Sequence, residues 1–529
     1  MHRGGRVTYR AFDGGVEFLE VDNHVDLNVL VVEAALLREV GGFAEDLRRA
    51  VDYDLVLRLA RRVPCVHVPV VGAVYRDDSD EAADADRISV REPVAWNSVV
   101  RARHAIDWDA QVRRPRVAGR VSVVVPFTGA PGQVRACVAS LLDDAPVGPG
   151  APDLEVLLVD RGSARADGLA ARVLTLADPR VRVHRVPADH GVAVALAHAL
   201  PVTTGEVVAL VDPAVRWREG GLAPLLAALG EEVTAAVQPA ACAPDGTVAA
   251  AGLTSAPGAG LPVPVLPGHH LDDLRAAGER VDVAALDGPV WLARAADLLA
   301  VRGLDALLER SWGAAELSLR LAGLRGGRLV VVPTAVVDAG PELAGEPSDA
   351  TAAPGSGRHD DRVFAQRWAA AGAEGPPVWE AAGYRLAHVE ADIDEGAGRH
   401  RLRAVLVRRS ADPGTLRWAV KLTDRDEGRA DLADRVVRAL RAAGHVAVVD
   451  QPEAMYRATS RFDDVELVLG GNRPVLASLA RPALLWLSEG AGAGAGEEAG
   501  YRGVLAGQEW WDDGPVGVST LVDAALGRR

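Results

Sequence analysis

The chain has little cysteine and no long apolar run. Cys65, Cys137 and Cys242 are its three cysteines, they lie far apart, and they form no Cys-x-x-Cys pair. This spacing argues against a disulfide framework and a structural zinc site, and it favours a reducing compartment. No segment reaches the ~20 apolar residues of a membrane span, and the N-terminal residues lack the apolar core of a secretory signal. We therefore expect a cytoplasmic protein.

Lysine is also nearly absent, since Lys421 is the only one and arginine carries the remaining positive charge. The formal net charge is −15 at pH 7, which argues against an extended nucleic-acid surface. About half of the 529 residues are apolar and a quarter are charged, as in folded soluble proteins. The length indicates roughly two to four domains.

Apolar runs alternate with helical patterns in the middle of the chain. The segments RVSVVVP (120–126), LEVLLVD (154–160) and EVVALVD (206–212) are typical of buried strands, and amphipathic segments separate them. This alternation predicts an α/β domain with a mostly parallel sheet. Asp160 and Asp212 each end a predicted strand, so they are expected at the carboxyl edge of that sheet, where such domains bind ligands.

The central segments resemble family-2 glycosyltransferases. VSVVVP (121–126), LLVDRGS (157–163), ADHGVAVALAHAL (188–200), TGEVVALVDPAVRW (204–217) and WGAAELSLRLAGLRGGRLVVVP (312–333) occur in the order of that family's motifs. The resemblance implies a Rossmann-like nucleotide-sugar transferase domain over residues 116–375.

Two flanking regions carry partial resemblances. DLNVLVVEAALLREVGGFAEDL (26–47), VDYDLVLRLARR (51–62) and VPVVGAVYR (68–76) are similar to the second half of the same domain type, which suggests a partial module at 1–115 that begins in its middle. Residues 376–529 resemble half of a two-domain glycosyltransferase, with a Rossmann-like α/β pattern at 431–470. Residues 340–360 and the GAGAGAG segment at 490–496 are predicted loops.

The resemblance assigns donor-site roles to two carboxylates. Asp160 matches the family's nucleobase contact, and Asp212 matches the first acid of its D-x-D motif, which orients the ribose and Mg²⁺ or Mn²⁺. Ala214 replaces the second acid. The alternative for both aspartates is an ordinary side-chain-capped turn after a strand.

The catalytic base is displaced in the same comparison. The positions of the family's Glu-Asp pair hold Gly313 and Ala314, while Glu316 stands where a further acid lies and is a candidate substitute. In the N-terminal segment, Asp52 stands at the base position. The alternatives are a solvated helix residue for Glu316 and an acid favoured by the helix dipole for Asp52.

Other conspicuous residues have simpler interpretations. His269 and His270 suggest metal ligands, but no further ligands stand at fixed spacing, so an exposed loop pair is expected. Trp312 and the pair Trp510–Trp511 could stack on sugar rings, although tryptophan commonly serves packing. The segment RRPRVAGR (113–120) could meet anionic lipid headgroups or serve as a solvated hinge.

These features lead to two functional hypotheses. The first is an inverting, metal-assisted glycosyltransferase that moves a sugar from a nucleotide-diphosphate donor to a glycan or lipid-linked acceptor of the cell envelope, at the inner face of the plasma membrane. The second is a degenerate scaffold or sugar-binding partner of an active glycosyltransferase. The combined losses at Ala214, Gly313 and Ala314 favour the second.

Overall fold

The structure is a computed structural model of the chain. It describes residues 2–3, 6–7, 13–73, 95–145, 152–186, 188–256, 259–308, 312–340, 356–368, 378–394, 399–408, 415–454, 457–470, 482–487, 501, 503–506, 511 and 515–527. Most of the predicted loop at 340–360, all of the GAGAGAG segment and Trp510 lie outside these residues.

A mixed, mostly parallel sheet forms the centre of the chain. Its strands run in the order β12-β14-β8-β13-β6-β3-β4-β5, with β7 beside β14 and β9 beside β8. Strands β3 to β6 are parallel, whereas β13 is antiparallel to both β6 and β8. The bounds are β3 Val117–Phe127, β4 Asp153–Arg161, β5 Val181–Val186, β6 Gly205–Val211, β7 Val215–Trp217, β8 Thr234–Cys242, β9 Val248–Ala250, β12 Val281–Val283, β13 Val290–Arg294 and β14 Arg328–Ala339. The predicted fold class is confirmed.

Helices cover both faces of this sheet because its central strands are apolar on both sides. The helices of this domain are α6 Pro131–Asp144, α7 Arg165–Ala177, α8 Val192–Ala199, α9 Leu222–Leu229, α10 Leu271–Ala276, α11 Ala295–Ala300, α12 Gly313–Arg325 and α13 Ser356–Trp368. One face packs against α6 and α9, and the other packs against α8 and α11. The two layers of buried aliphatic residues fix the sheet edge that carries Asp160 and Asp212.

The segment at 113–120 is part of this domain and not a hinge. Arg114 and Arg116 donate to the carbonyl oxygens of Pro201 and Thr203, and Arg120 pairs with Asp153 at 2.8 Å. The contacts of these arginines are therefore with the protein, and β3 begins inside the predicted linker.

Two short hairpins extend the central domain toward the C-terminal region. Strands β10 Leu253–Thr254 and β11 Val263–Pro264 form one, and β15 Tyr384–Asp394 and β16 Arg399–Arg408 form the other, after the short helix α14 Val378–Ala381. His269 is buried here against Tyr384 and Phe462, with ring centroids 4.9 and 5.5 Å away. The expectation of an exposed histidine pair is wrong for His269, because the second hairpin covers it.

The C-terminal region forms a second, fully parallel sheet in the order β18-β17-β19-β20-β21. Its elements are β17 Arg417–Leu422, α15 Glu427–Ala442, β18 Val446–Asp450, β19 Val465–Gly470, β20 Ala483–Leu487, β21 Gly503–Ala506 and α16 Pro515–Leu526, with 3₁₀ turns at Pro452–Ala454 and Ala458–Phe462. Helices α15 and α16 cover one face. Trp511 packs against Trp486 in this core, with ring centroids 5.5 Å apart.

Buried ion pairs attach this sheet to the central domain. The guanidinium of Arg417 binds Asp273 of α10 at 2.7 and 3.1 Å, and its Nε binds Asp463 at 3.0 Å. Arg457 continues the network to Asp463 and Asp450. The Nε2 atom of His270 lies 3.0 Å from the carbonyl oxygen of Val449. These contacts fix how the second sheet sits on the first.

The N-terminal region contains helices but few strands. Helices α1 Val16–Val21, α2 Ala34–Glu39, α3 Val51–Ala60, α4 Ala95–His104 and α5 Trp108–Val112 lie here, with a 3₁₀ turn at Leu27–Val29 and the two-residue strands β1 His2–Arg3 and β2 Arg6–Val7. The apolar segments at 30–33 and 64–72 form no strand. Val31, Val66 and Val70 are 96%, 83% and 74% exposed. A strand needs a partner, and no described segment pairs with these.

Candidate functional site at the carboxyl edge of the central sheet

Asp160 lies at the end of β4, as predicted, and is buried. Its Oδ1 accepts a hydrogen bond from the Ser163 amide at 2.8 Å, and its Oδ2 pairs with Arg185 at 3.0 Å. Gly168 packs against the same carboxylate so closely that a Cβ there would lie 2.8 Å from Oδ2. Asp160 therefore holds the turn after β4, as its structural interpretation requires. A nucleobase at this position would meet Arg185 as well as Asp160.

Asp212 follows β6 on the same edge and is half-buried. Its Oδ1 accepts a hydrogen bond from the Ala214 amide at 2.8 Å, which gives the expected side-chain-capped turn. Ala214 is buried, so the second D-x-D position presents no carboxylate. Asp338 of β14 forms an ion pair with Arg218. Asp212 is therefore the one carboxylate that the stretch 212–214 presents.

Glu316 is buried inside the domain, where its carboxylate pairs with Arg320 one turn later at 2.7 Å. Arg320 also donates to the carbonyl oxygens of Val301 and Gly303. The expectation of a solvated helix residue is wrong, because Arg320 neutralises Glu316 and allows its burial. This ion pair joins helix α12 to the turn after α11.

The N-terminal region contains an equivalent ion pair between a buried acid and an arginine one turn later. Residues 26–47 align without a gap with 287–308, with eight of the 22 residues identical, and 51–60 align with 313–322. Asp54 pairs with Arg58 at 2.7 Å, and Arg58 donates to the carbonyl oxygens of Val40 and Gly42. We call residues 26–60 with α4 the first copy, and residues 287–322 with α13 the second copy. The N-terminal segment therefore repeats part of the central domain, and its resemblance to half of a transferase domain stays a prediction.

In each copy, a second arginine lies near the same buried carboxylate. In the first, Arg103 of α4 binds Asp46 and lies 3.8 Å from Asp54. In the second, Arg367 of α13 binds Asp305 at 2.5 Å and lies 3.8 Å from Glu316. His104 adds a contact of 2.7 Å to Asp54 in the first copy. Burial opposes ionisation of Asp54, but hydrogen bonds from His104 and Arg58 prevail and lower its pKa.

Asp52 lies in the first turn of α3, as the resemblance requires, and is partly buried. Its equivalent in the second copy is Ala314. Asp52 and Glu316 therefore occupy different positions in the repeat, since Glu316 is equivalent to Asp54. The role of either residue as catalytic base stays a prediction.

The sequence reasoning missed Asp287, which belongs to the loop before β13. Its Oδ1 accepts hydrogen bonds from the Gly252 amide at 2.6 Å and from Gln238 at 3.2 Å. Two residues later, the carbonyl oxygen of Pro289 accepts a hydrogen bond from the Asp212 amide at 2.9 Å. Burial raises the pKa of Asp287 to about 6. The pairing of Asp26 with Asp287 in the internal repeat is the signal that could have identified it.

The part of the chain that the structure describes contains no group of three or more His, Cys, Asp or Glu residues arranged to hold a metal ion. Among the same residues, no helix is both long and apolar enough to cross a membrane. Trp312 stacks on Phe364 with ring centroids 4.3 Å apart and donates to Asp361, so it serves packing.

The family model of glycosyl transferase family 2 matches residues 122–256. This span begins in β3 and ends beyond β10, and it includes Asp160 and Asp212. The predicted resemblance of the central domain to family-2 glycosyltransferases is thereby confirmed over these residues.

Comparisons over longer stretches are weaker. The uncharacterized protein y4gI of Sinorhizobium fredii is 30% identical over 200 residues, which cover 34% of this chain and 22% of that protein. The chain thus matches about a fifth of that relative's length. Among solved structures, GalNAc-T7 with UDP, GalNAc and Mn²⁺ is 20% identical with a TM-score of 0.37, covering 46% of this chain and 48% of that one. The mannosyltransferase PcManGT of Pyrobaculum calidifontis with GDP-Man and Mn²⁺ is 17% identical with a TM-score of 0.35, covering 52% and 74%.

Proposed function

We propose that the chain is a glycosyltransferase that takes a sugar from a nucleotide-diphosphate donor bound at the carboxyl edge of the central sheet. The observation that carries this proposal is the position of Asp160 and Asp212. Both aspartates lie inside the family match, at the carboxyl ends of β4 and β6. These parallel strands flank β3, and this is the edge where α/β sheets bind ligands. Asp212 would contact the donor's ribose.

The proposed reaction is an inverting displacement. The acceptor hydroxyl oxygen forms a bond to the sugar's anomeric carbon while the bond from that carbon to the diphosphate breaks. The nucleoside diphosphate leaves, and a base takes the hydroxyl proton. Asp52 is the candidate base, since Glu316 is already paired with Arg320. We infer that Glu316 acts as a positioning residue for α12.

In the D-x-D stretch, a bound metal ion would have Asp212 as its one carboxylate ligand. Mg²⁺ and Mn²⁺ require several oxygen ligands, and a protein site commonly supplies one or two carboxylates beside the substrate's phosphates. Asp212 is the carboxylate of the D-x-D stretch, and Ala214 cannot contribute a second. We therefore derive no step through a metal ion. Dependence of activity on Mg²⁺ or Mn²⁺ stays a prediction to be measured.

The class of acceptor is proposed from the family resemblance. A glycan or lipid-linked acceptor of the cell envelope, met at the cytoplasmic face of the plasma membrane, fits the family resemblance. Attachment to that surface would have to come from elsewhere than the 113–120 segment, since Arg114, Arg116 and Arg120 bind protein groups.

The second candidate function is a catalytically inactive partner that binds sugar or supports an active glycosyltransferase. Three observations favour it. Ala214 replaces a carboxylate, Ala314 stands where Asp52 stands in the first copy, and Glu316 is held in a buried ion pair. A protein of this kind would keep the fold and the ion pairs that stabilise it while lacking turnover.

Two measurements on the purified full chain separate these candidates. The first is thermal unfolding with UDP- and GDP-sugars, with Mn²⁺ or with EDTA, because a ligand at ~100 times its Kd adds about 2.7 kcal/mol of stability. The second is release of nucleoside diphosphate in the presence of a glycan acceptor. Donor binding that Asp212→Asn weakens, with turnover that Asp52→Asn abolishes, supports the enzyme. Donor binding without turnover supports the inactive partner, and wild-type activity in both variants refutes the site.

A further inference from the structure

A cavity of about 340 Å³ lies between the first copy and the central domain. Three separate segments form its walls: the turn after α2 with Phe43, helix α3 with Arg58, and residues 103–109 with Arg103 and Trp108. Arg302 of the central domain closes it. Its volume is at the lower end of the roughly 300–1,000 Å³ of small-ligand sites.

The cavity is remote from the proposed donor site. Strand β13 is antiparallel to β6, so it ends at Arg294 beside Val207, near the start of β6, whereas Asp212 follows the end of β6. Helix α11 and Arg302 come after β13, and residues 103–109 lead toward the start of β3. Arg302 and residues 105–109 therefore both come from segments at the opposite edge of the sheet.

The second copy carries larger aromatic side chains at two positions of the repeat. Trp312 packs on Phe364 there, and Trp368 follows Arg367. In the first copy, Ala50 stands at the position of Trp312, and His104 follows Arg103. The two copies therefore differ in the size of the side chains that accompany the same ion pairs.

Arg302 has a backbone conformation that is costly for it. Its φ of 60° lies in the left-handed region, and its equivalent in the first copy is Gly41, with a φ of 85°. Arginine at such a position is strained, while glycine is not. Strained residues of this kind concentrate at functional sites. Arg302 nevertheless lines the cavity in this conformation.

The lining has mixed charge and exposed aromatic surface. Arg302 supplies hydrogen-bond donors beside Arg58 and Arg103, whose guanidinium groups already bind Asp54 and Asp46. Asp107 and Asp109 are exposed carboxylates that supply acceptors. Phe43 is 45% exposed at the same place. A hydroxyl both donates and accepts hydrogen bonds, so such a lining suits a neutral polyhydroxylated ligand, and the aromatic side chain offers an apolar face. A phosphate would face the carboxylates.

We propose that this cavity binds a saccharide, held apart from the donor site. The proposal rests on the proposed glycosyltransferase function for its biological sense, since a glycan held here would keep an acceptor on the enzyme. It does not require catalysis, because binding in the cavity uses neither Asp160 nor Asp212.

The test is saturation-transfer NMR of the full chain with a panel of methyl glycosides and disaccharides, without nucleotide. Phe43→Ala and Arg302→Gly remove lining groups, and the second substitution relieves backbone strain, so a loss of binding cannot be assigned to unfolding. Phe18→Ala, at another exposed phenylalanine (55%), is the matched control. We expect at least one saccharide to bind the wild type and the control alike, and at least tenfold more weakly to the two cavity variants.

The proposal is overturned if no saccharide of the panel binds, or if all variants bind equally. It is also overturned if UDP or GDP alone gives the signal that depends on Phe43 and Arg302. Donor binding measured in the same variants separates this result from the proposed function. Cavity variants that lose saccharide but keep the donor support the cavity, whereas a wild type that binds saccharide but no donor leaves the cavity standing and removes the donor site.

Discussion

The ion pair between Arg417 and Asp273 should hold the C-terminal sheet on the central domain. Arg417 is 3% exposed as a side chain, Asp273 is 5% exposed, and Asp463, its second partner, is fully buried. Replacing Arg417 with Met leaves both carboxylates buried without this cation. Removing one partner of a buried ion pair costs about 3–5 kcal/mol. Since His269 and Arg457 still contact these carboxylates, we expect a cost at the lower end, about 3 kcal/mol.

Urea unfolding followed by tryptophan fluorescence measures this cost, because the adjacent Trp418 is fully buried in the C-terminal core. Arg425→Met is the matched control. Arg425 pairs with Glu453 at 2.6 Å but is 78% exposed, so its loss should cost less than about 1 kcal/mol. A cost for Arg417→Met no larger than that of the control would refute the reasoning.

The pH dependence gives a second check on the same pair. Burial opposes ionisation of Asp273, but the contacts with His269 and Arg417 hold its pKa well below the ordinary range. A lowered carboxyl pKa contributes stability above the unfolded value of about 4 and loses it as the pH falls below that value. The difference between wild type and Arg417→Met should therefore shrink in acid, and a difference that grows there would contradict this origin.

Three further predictions concern the central domain. Burial raises the pKa of Asp287 to about 6. The free energy of unfolding of the wild type, measured by urea titration, should therefore fall by about 3 kcal/mol relative to that of Asp287→Asn as the pH rises from about 4 to 7. A difference between the two proteins that does not change with pH would exclude this pKa shift. Gly205→Ala should lower stability by about 1–3 kcal/mol, since its Cβ would lie 2.7 Å from the Arg120 carbonyl oxygen, whereas Gly132→Ala, which meets no atom within 4 Å, should not destabilise. Glu316→Gln should lower the Tm and leave kcat per folded molecule nearly unchanged; a large fall in kcat with an unchanged Tm would make Glu316 the base.

The central sheet could be predicted from the sequence because its strands are continuous apolar runs. The predicted strand at 120–126 became Val117–Phe127, and the predicted strand at 154–160 became Asp153–Arg161. Such runs determine their own burial, and their order along the chain follows from strand–helix alternation. Asp160 and Asp212 could be placed at the sheet edge for the same reason.

The N-terminal region shows where this reasoning ends. Residues 26–33 match 287–294 in pattern, yet only the second segment contains a strand, because β6 and β8 are there to pair with it. The local sequence sets a preference for a β-strand, whereas the pairing of that strand depends on residues far away in the sequence. The burial of Glu316 was missed for a similar reason, since Val301 and Gly303, which bind its partner Arg320, belong to another turn.

Because the same ion pair occurs in both copies, its contribution to stability can be compared within one protein. Arg58 and Arg320 bind equivalent groups, but Arg320 lies under a complete sheet while Arg58 belongs to a copy without one. The same substitution made at each position changes the same hydrogen bonds in two different surroundings. The difference between the two losses of unfolding free energy would measure how much a complete sheet strengthens a side-chain interaction. No comparison between unrelated proteins would be needed.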